Sequence, residues 1–256
     1  MKQHVLPRVL VSVLAGACLV WSVTDTSPLQ AAPDMGGGHG NQSFAYPPNA
    51  QVHGHSQSYW EVKFWQWGLA QPLADHPFTD TPNYDVTEGQ SGSIWFLASP
   101  VGDNPSASFT RTCTIPANKS LYVLLVGSEW SSLEGYPTEQ EQRDNAAWQG
   151  DHIIPSSISC TLDGVALANP AAYRRSTAQF DFDAPSPWIF GDTGGTGSAV
   201  ADGFGIVLKE LDPGQHTLHF TAQQHFTFDE DGFDLDLFVN TTYNITQLGC
   251  GGGGHH

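Results

Sequence analysis

Five carboxylates fall within eight residues at Asp229-Glu-Asp-Gly-Phe-Asp-Leu-Asp236. Oxygen ligands at near-alternating positions, here Asp229, Asp231, Asp234 and Asp236, suit a hard cation such as calcium. The loop is no EF-hand, because the twelfth-position Glu is missing and no helical pattern flanks it. The alternative reading is a solvated acidic hairpin tip. A second metal pattern is His53-Gly-His55 followed by Glu61 and Gly68, close to the first motif of a cupin. Asp212-Pro-Gly-Gln-His216 resembles the second motif more faintly. Glu61 has a competing role in a helix-capping box, which argues for a polar arm and a helix instead. His216 and His219 are three apart on a strand-like run and so face opposite sides.

Aromatic rings supply the other candidate chemistry. Trp65 lies off the apolar stripe of its helix, and Trp130 and Trp188 fall in expected loops beside acidic and small residues. Exposed rings with a neighbouring carboxylate such as Glu129 can stack on sugar faces, so these four residues form the expected glycan-binding set. Glu129 and Glu134 flank Trp130 and also offer an acid–base pair for glycoside hydrolysis. Nucleophile and phosphate signatures are weak. No Gly-x-Ser-x-Gly elbow occurs. Gly191-Asp-Thr-Gly-Gly-Thr-Gly197 lacks the Lys-Ser/Thr end of a P-loop, and a single Asp192-Thr-Gly194 does not make an aspartic protease.

The elements that must position these groups are mainly strands. Ser58-Tyr-Trp-Glu-Val-Lys-Phe-Trp-Gln-Trp67 predicts a helix, with Ser58 as cap, Glu61 closing the box and Pro72 ending it. Trp60, Phe64 and Trp67 share one face of it, expected to be core. A second short helix is expected over Glu139 to Trp148, capped by Thr138 with Glu141 as box partner. Strand-like runs occur at Ser93–Ala98, Thr110–Ile115, Lys119–Val126, Ser157–Leu162, Ala178–Asp183, Phe204–Leu208, His216–Thr221 and Leu235–Tyr243. Asp163-Gly164 and Asp212-Pro-Gly214 punctuate them as turns. Eight such strands predict a mainly β fold, a β-sandwich or jelly roll, with one aromatic N-terminal helix and one inserted helix.

The ends differ in character. A basic Met1–Arg8, an apolar Val9–Val23 and a small-residue stretch reaching Ala32 follow the pattern of a signal peptide over residues 1–31. That places the protein in a secreted or periplasmic setting. Cys18 after Ala15-Gly-Ala17 offers a weaker lipoprotein reading. Residues 32–57 read as a flexible arm, 58–248 as the β-sandwich domain and 249–256 as a flexible tail. A net charge of −17 disfavours nucleic acid and anionic membranes, and no later stretch is apolar enough to span a bilayer. In an oxidising compartment Cys113 and Cys160 are expected to pair, because both lie in the β-core. Cys250 is left for self-association through a thiol.

Several motifs occur together and in order: Ser58-Tyr-Trp-Glu with Trp65-Gln-Trp67, Gly89-Gln-Ser-Gly-Ser-Ile-Trp-Phe-Leu97, Arg111-Thr-Cys-Thr-Ile-Pro-Ala-Asn-Lys119, and Leu211-Asp-Pro-Gly-Gln-His-Thr217. Over roughly residues 56–246 the chain resembles a widespread family of secreted bacterial proteins of unknown function. That family has a Trp-Gln-Trp helix and a Cys-Thr-Val-Pro-Ala-Gly-Lys turn. Phe64 and Asn118 depart from its pattern, and Asn at 118 still permits a left-handed turn. The resemblance implies export and a β-rich fold, and it supplies no catalytic residue. The function expected from these readings is a secreted β-sandwich that binds extracellular material, polysaccharide above all, with calcium as structural support. A hydrolase or metal-dependent enzyme on the same scaffold is the first alternative, and an extracellular matrix or assembly protein the second.

Overall fold

Period-two alternation is cleanest in the last two long strands, and they form the longest antiparallel pair. In a computed structural model describing residues 43–79 and 84–250, β9 (Gly214–Phe226) pairs with β10 (Leu235–Gln247) along their full lengths. Inward residues Leu218, Phe220, Val239, Tyr243 and Ile245 are buried, while their neighbours are not. On one side β10 takes β2 (Phe109–Ile115) in parallel. On the other, β9 takes β4 (Ser159–Leu162), which turns through Asp163-Gly164 into β5 (Val165–Ala166). Both turn residues have positive φ (52° and 78°), the geometry of the expected two-residue hairpin. Asn118 also adopts the left-handed region, at φ 60°.

The second sheet is built on two longer strands. β3 (Ser120–Ser131) lies between β1 (Ile94–Leu97), which is parallel to it, and β8 (Gly195–Leu208). β6 (Arg174–Ser176) and β7 (Phe180–Ala184) share the other edge of β8. Leu121, Val123, Ile206 and Leu208 of this sheet meet Ile115, Leu218, Phe220 and Ile245 of the first, so the fold is a β-sandwich. Each of the eight expected runs overlaps a strand, though β3 and β8 extend well beyond the expected bounds; β5 and β6 had too few residues to register. A bulge at Leu124/Val126 brings Gly127 and Gly203 face to face. A Cβ on Gly203 would lie 2.6 Å from the Gly127 Cα, so glycine is required there.

Helix α1 (Gln57–Leu69) covers the outer face of the second sheet through Phe64, Trp65, Trp67 and Leu69. Its cap is Ser56, whose Oγ accepts the Tyr59 amide at 3.2 Å, and not Ser58 as the capping-box motif suggested. Glu61 does not reach back along the backbone, because its side chain is buried in the body. Ser56→Ala is therefore expected to cost about 1 kcal/mol and Ser58→Ala much less; chemical denaturation of the two variants would separate them. Helix α2 (Glu139–Asp151) begins with the expected Thr138–Glu141 capping box. Its inward side meets Trp130 and Val200.

Two other expectations are corrected. Residues 43–56, read as part of a mobile arm, lie against the body: the Tyr46 amide donates to Val207 O at 2.9 Å, Lys209 N donates to Phe44 O, and Ala45 and Val52 are buried. A few apolar residues suffice because the edge of β8 supplies backbone partners. Cys113 and Cys160 do not pair, and all three described cysteines are free. They sit on β2 and β4 with β10 and β9 between them. Three strand spacings are about 14 Å, twice the Cα separation a disulfide tolerates. Residues 1–42 and 251–256, with the expected signal segment and most of the tail, lie outside the described residues.

Candidate functional site

The expected ring platform does not form. Trp65, Trp130 and Trp188 are only 5%, 3% and 2% exposed. Trp65 packs edge-on against Phe64 and Phe78. Trp188 sits among Phe182 and Phe190. Trp130 lies edge-on to Tyr136 and donates from Nε1 to Gln149 Oε1 at 3.0 Å. β3 runs on through Ser128-Glu-Trp-Ser131, pairs there with β8 and is buried, Trp130 against Ala146 of α2, so the stretch expected as a polar loop is a covered strand.

Glu129, on the same stretch, is buried, and neither of its oxygens meets a donor as a carboxylate. The group within its reach is the Glu134 carboxyl, which also accepts from Ser131 Oγ at 2.6 Å. Burial raises both carboxyls well above the usual carboxylate range, and the Glu134 charge pushes Glu129 further in the same direction. The pair therefore holds a proton between its members. Neither carboxyl lines either of the two depressions described below.

An open aromatic groove lies elsewhere, along the outer edge of α1. It encloses about 590 Å³ between the helix and the Gly89–Phe96 segment. Trp67 and Phe96 form its floor, stacked at 5.5 Å between centroids. Trp67 Nε1 is anchored on Glu88 O at 3.0 Å. Tyr59 and Trp60 rise at one end, T-shaped at 5.0 Å. Trp60 Nε1 donates to Val52 O at 2.9 Å, and His55 stacks on Tyr59 at 3.9 Å. Tyr59 is 36% exposed. Lys63, Gln66, Gln71, Ser91 and Ser93 supply the polar rim, with Lys63 Nζ donating to Gln66 Oε1 at 2.9 Å. Gly89 suits its place: its φ is +63°, and a Cβ there would sit 2.6 Å from Gln71 Nε2. The sequence held a usable signal, since Tyr59, Lys63 and Gln66 repeat at i, i+4, i+7 on the face opposite the buried one.

The metal patterns disperse. Glu61 sits in the helix, His53 Nε2 meets Ser120 Oγ at 3.1 Å and His55 lies on Tyr59, so the cupin set does not converge. His216 bonds Asp163 and His219 bonds Asn240, on opposite faces of β9. Of the four aspartates expected to share calcium, Asp234 accepts the Phe228 amide and Asp236 accepts from His225 and Gln223. Asp231 faces His152 instead, and Asp229 is exposed. A small helix, α3 (Phe228–Asp231), carries the first three carboxylates of the run, and left-handed Gly232 ends it before the last two. Among the described residues these four do not form a cluster of ligand atoms.

Under the helix lies a polar network with a different logic. Glu61 Oε2 is 3.5 Å from Arg175 Nη1, and Arg175 also donates to Gly205 O at 2.6 Å and to Gln57 Oε1 at 3.1 Å. Burial outweighs the guanidinium and lifts the Glu61 carboxyl to about 8. A smaller depression of about 220 Å³, lined by Ser56, Ser58, Arg174 and Arg175, lies over it. No helix among the described residues is long and apolar enough to cross a membrane. No family model, curated protein or solved structure matches the chain.

Proposed function

We propose that this chain is an exported β-sandwich protein that binds neutral glycan chains in the groove beside α1. The observation carrying the proposal is the Tyr59–Trp60 pair, two rings that reach solvent yet are fixed in place. A ring whose position is already set by a hydrogen bond or a stacking partner loses little freedom on binding a sugar face. Amides and hydroxyls from Gln66, Gln71, Ser91 and Ser93 line the rest of the groove. Such groups match sugar hydroxyls as donors and acceptors. Lys63 is the one charged residue lining it, and the chain as a whole carries −17. That field disfavours acidic polysaccharides and favours uncharged ones. The basic, apolar and small-residue segments at the N-terminus support export.

Tyr59→Ala removes a ring that supports no core contact and is expected to weaken binding of a neutral oligosaccharide about tenfold, or about 1.4 kcal/mol. Titration calorimetry over a panel of neutral and acidic oligosaccharides would read it. Trp130→Phe, at a buried ring, is the control and should leave affinity unchanged. Binding that prefers acidic glycans, or that is insensitive to Tyr59, would refute this assignment.

A further inference from the structure

We propose that His152, Asp231 and Glu230 form a binding site for a divalent cation of the zinc class, where the C-terminal end of α2 meets the β9–β10 connection. The first observation is the orientation of the imidazole. His152 Nδ1 lies 2.7 Å from Trp148 O, and a carbonyl oxygen can only accept, so Nδ1 carries the hydrogen. The lone pair of the neutral ring is then on Nε2, which points at Asp231 Oδ2 from 3.1 Å. Two acceptors facing each other at that distance need a positive charge between them. A cation at about 2.0–2.1 Å from a nitrogen and a carboxylate oxygen spans a gap of this size.

The second observation concerns which positive charge fits. Glu230 brings another carboxylate, and one ligand atom from each of the three residues lies within 4.8 Å of the other two. One proton on His152 balances one of the two carboxylates; a dication balances both. The third observation lies outside the cluster. Trp148 Nε1 holds Asp231 Oδ1 at 3.2 Å, the Thr227 amide donates to Asp231 Oδ2 at 3.0 Å, and Phe226 stacks on the imidazole at 4.6 Å with a 14° tilt. Ligands whose other atoms are fixed this way are what a protein-built metal site has and a casual ion pair lacks. One nitrogen and two carboxylates suit zinc better than calcium, which prefers six or more oxygens. The exposed Glu230 side leaves coordination positions open to solvent.

The test uses the full chain carrying His255→Ala and His256→Ala, so that the terminal histidines cannot bind metal. After treatment with a chelator, zinc titration by calorimetry should show one equivalent bound, with a raised melting temperature. Glu230→Gln is exposed and leaves the packing intact; it should weaken binding at least tenfold. His152→Gln should abolish it, and in the parent chain the His152 ring nitrogen resonances should shift on adding zinc. Three results would overturn the proposal: no zinc binding, zinc binding indifferent to Glu230→Gln with the His152 resonances unmoved, or tighter binding of calcium that depends on Asp229 and Asp234.

Discussion

Raising the pH from about 6.5 to about 8 is expected to lower the melting temperature by about 5 °C or more, an unusual direction for so acidic a surface. Three glutamates set it, two of them buried and Glu134 half-buried. Glu61 is lifted to about 8, and Glu129 and Glu134 are raised by burial. The unfolded chain releases these protons near 4.5, whereas the folded chain keeps them. Their contribution to stability is thus fully present below about 4.5 and is lost progressively as pH rises through the folded values. Each retained proton corresponds to roughly 1.4 kcal/mol per pH unit. Glu61 alone then accounts for about 2 kcal/mol over this window, and a domain of this size shifts by about 2–4 °C per kcal/mol. His216, raised by its bond to Asp163 and to the Asp212 carbonyl against the cost of burial, adds loss in the same direction. His76, held down to about 4 by burial, acts oppositely, but only between about 4 and 6.5. Asp85 and Asp236 are depressed, by bonds from Thr87 and His225, and act only at lower pH. Glu129→Gln removes one acid of the pair and supplies an amide donor for Glu134. It should raise stability by about 1–3 kcal/mol at the alkaline end, with the gain shrinking as the pH falls toward about 4.5. Thermal melts of both proteins across the window read the effect, and a flat or rising profile would refute it.

The same carboxylates show what was legible in the sequence. Strands with one covered face announced themselves: β9 and β10 alternate, and Asp163-Gly164 marks its hairpin. β3 is covered on both faces beyond Val126, so its Gly-Ser-Glu-Trp-Ser stretch has no alternation, and polar letters in it read as a loop. Glu129 and Trp130 were therefore expected at the surface. Ser58-x-x-Glu61 fits the capping pattern locally, yet the destination of Glu61 is decided by Arg175, 114 residues away. No local pattern contains that information. Cys113 and Cys160 both face the core as expected, but strand order, which places two strands between them, is a long-range property. The stripe Trp60, Phe64, Trp67 was read as core, and its far end instead opens into the groove: Phe64 and Trp67 are buried, while Trp60 is half-buried beside the exposed Tyr59.

Arg175→Met should be among the most damaging single changes in this chain, at about 3–5 kcal/mol, the cost of removing one partner from a buried charged network. The guanidinium joins α1 to β8: it satisfies Gly205 O, Gln57 Oε1 and Glu61 Oε2, while the Gln57 amide continues to Pro47 O. Its removal leaves those acceptors buried without donors. Arg175→Lys should recover only part of the loss, because one ammonium cannot spread over three acceptors in a plane. Glu61→Gln is the informative comparison. Glu61 holds its proton in the folded protein at neutral pH but releases it on unfolding, so an amide in its place should already be stabilising there, with a gain that grows from about pH 4.5 and levels off above about 8. The two substitutions should accordingly show little coupling at neutral pH and a growing one as Glu61 ionises, measured by denaturation of the single and double variants. A Glu61→Gln variant as unstable as Arg175→Met at neutral pH would mean that Glu61 is ionised in the folded protein. The pair would then be a true ion pair, and the decline in stability toward alkaline pH would have to come from Glu129 and Glu134 alone.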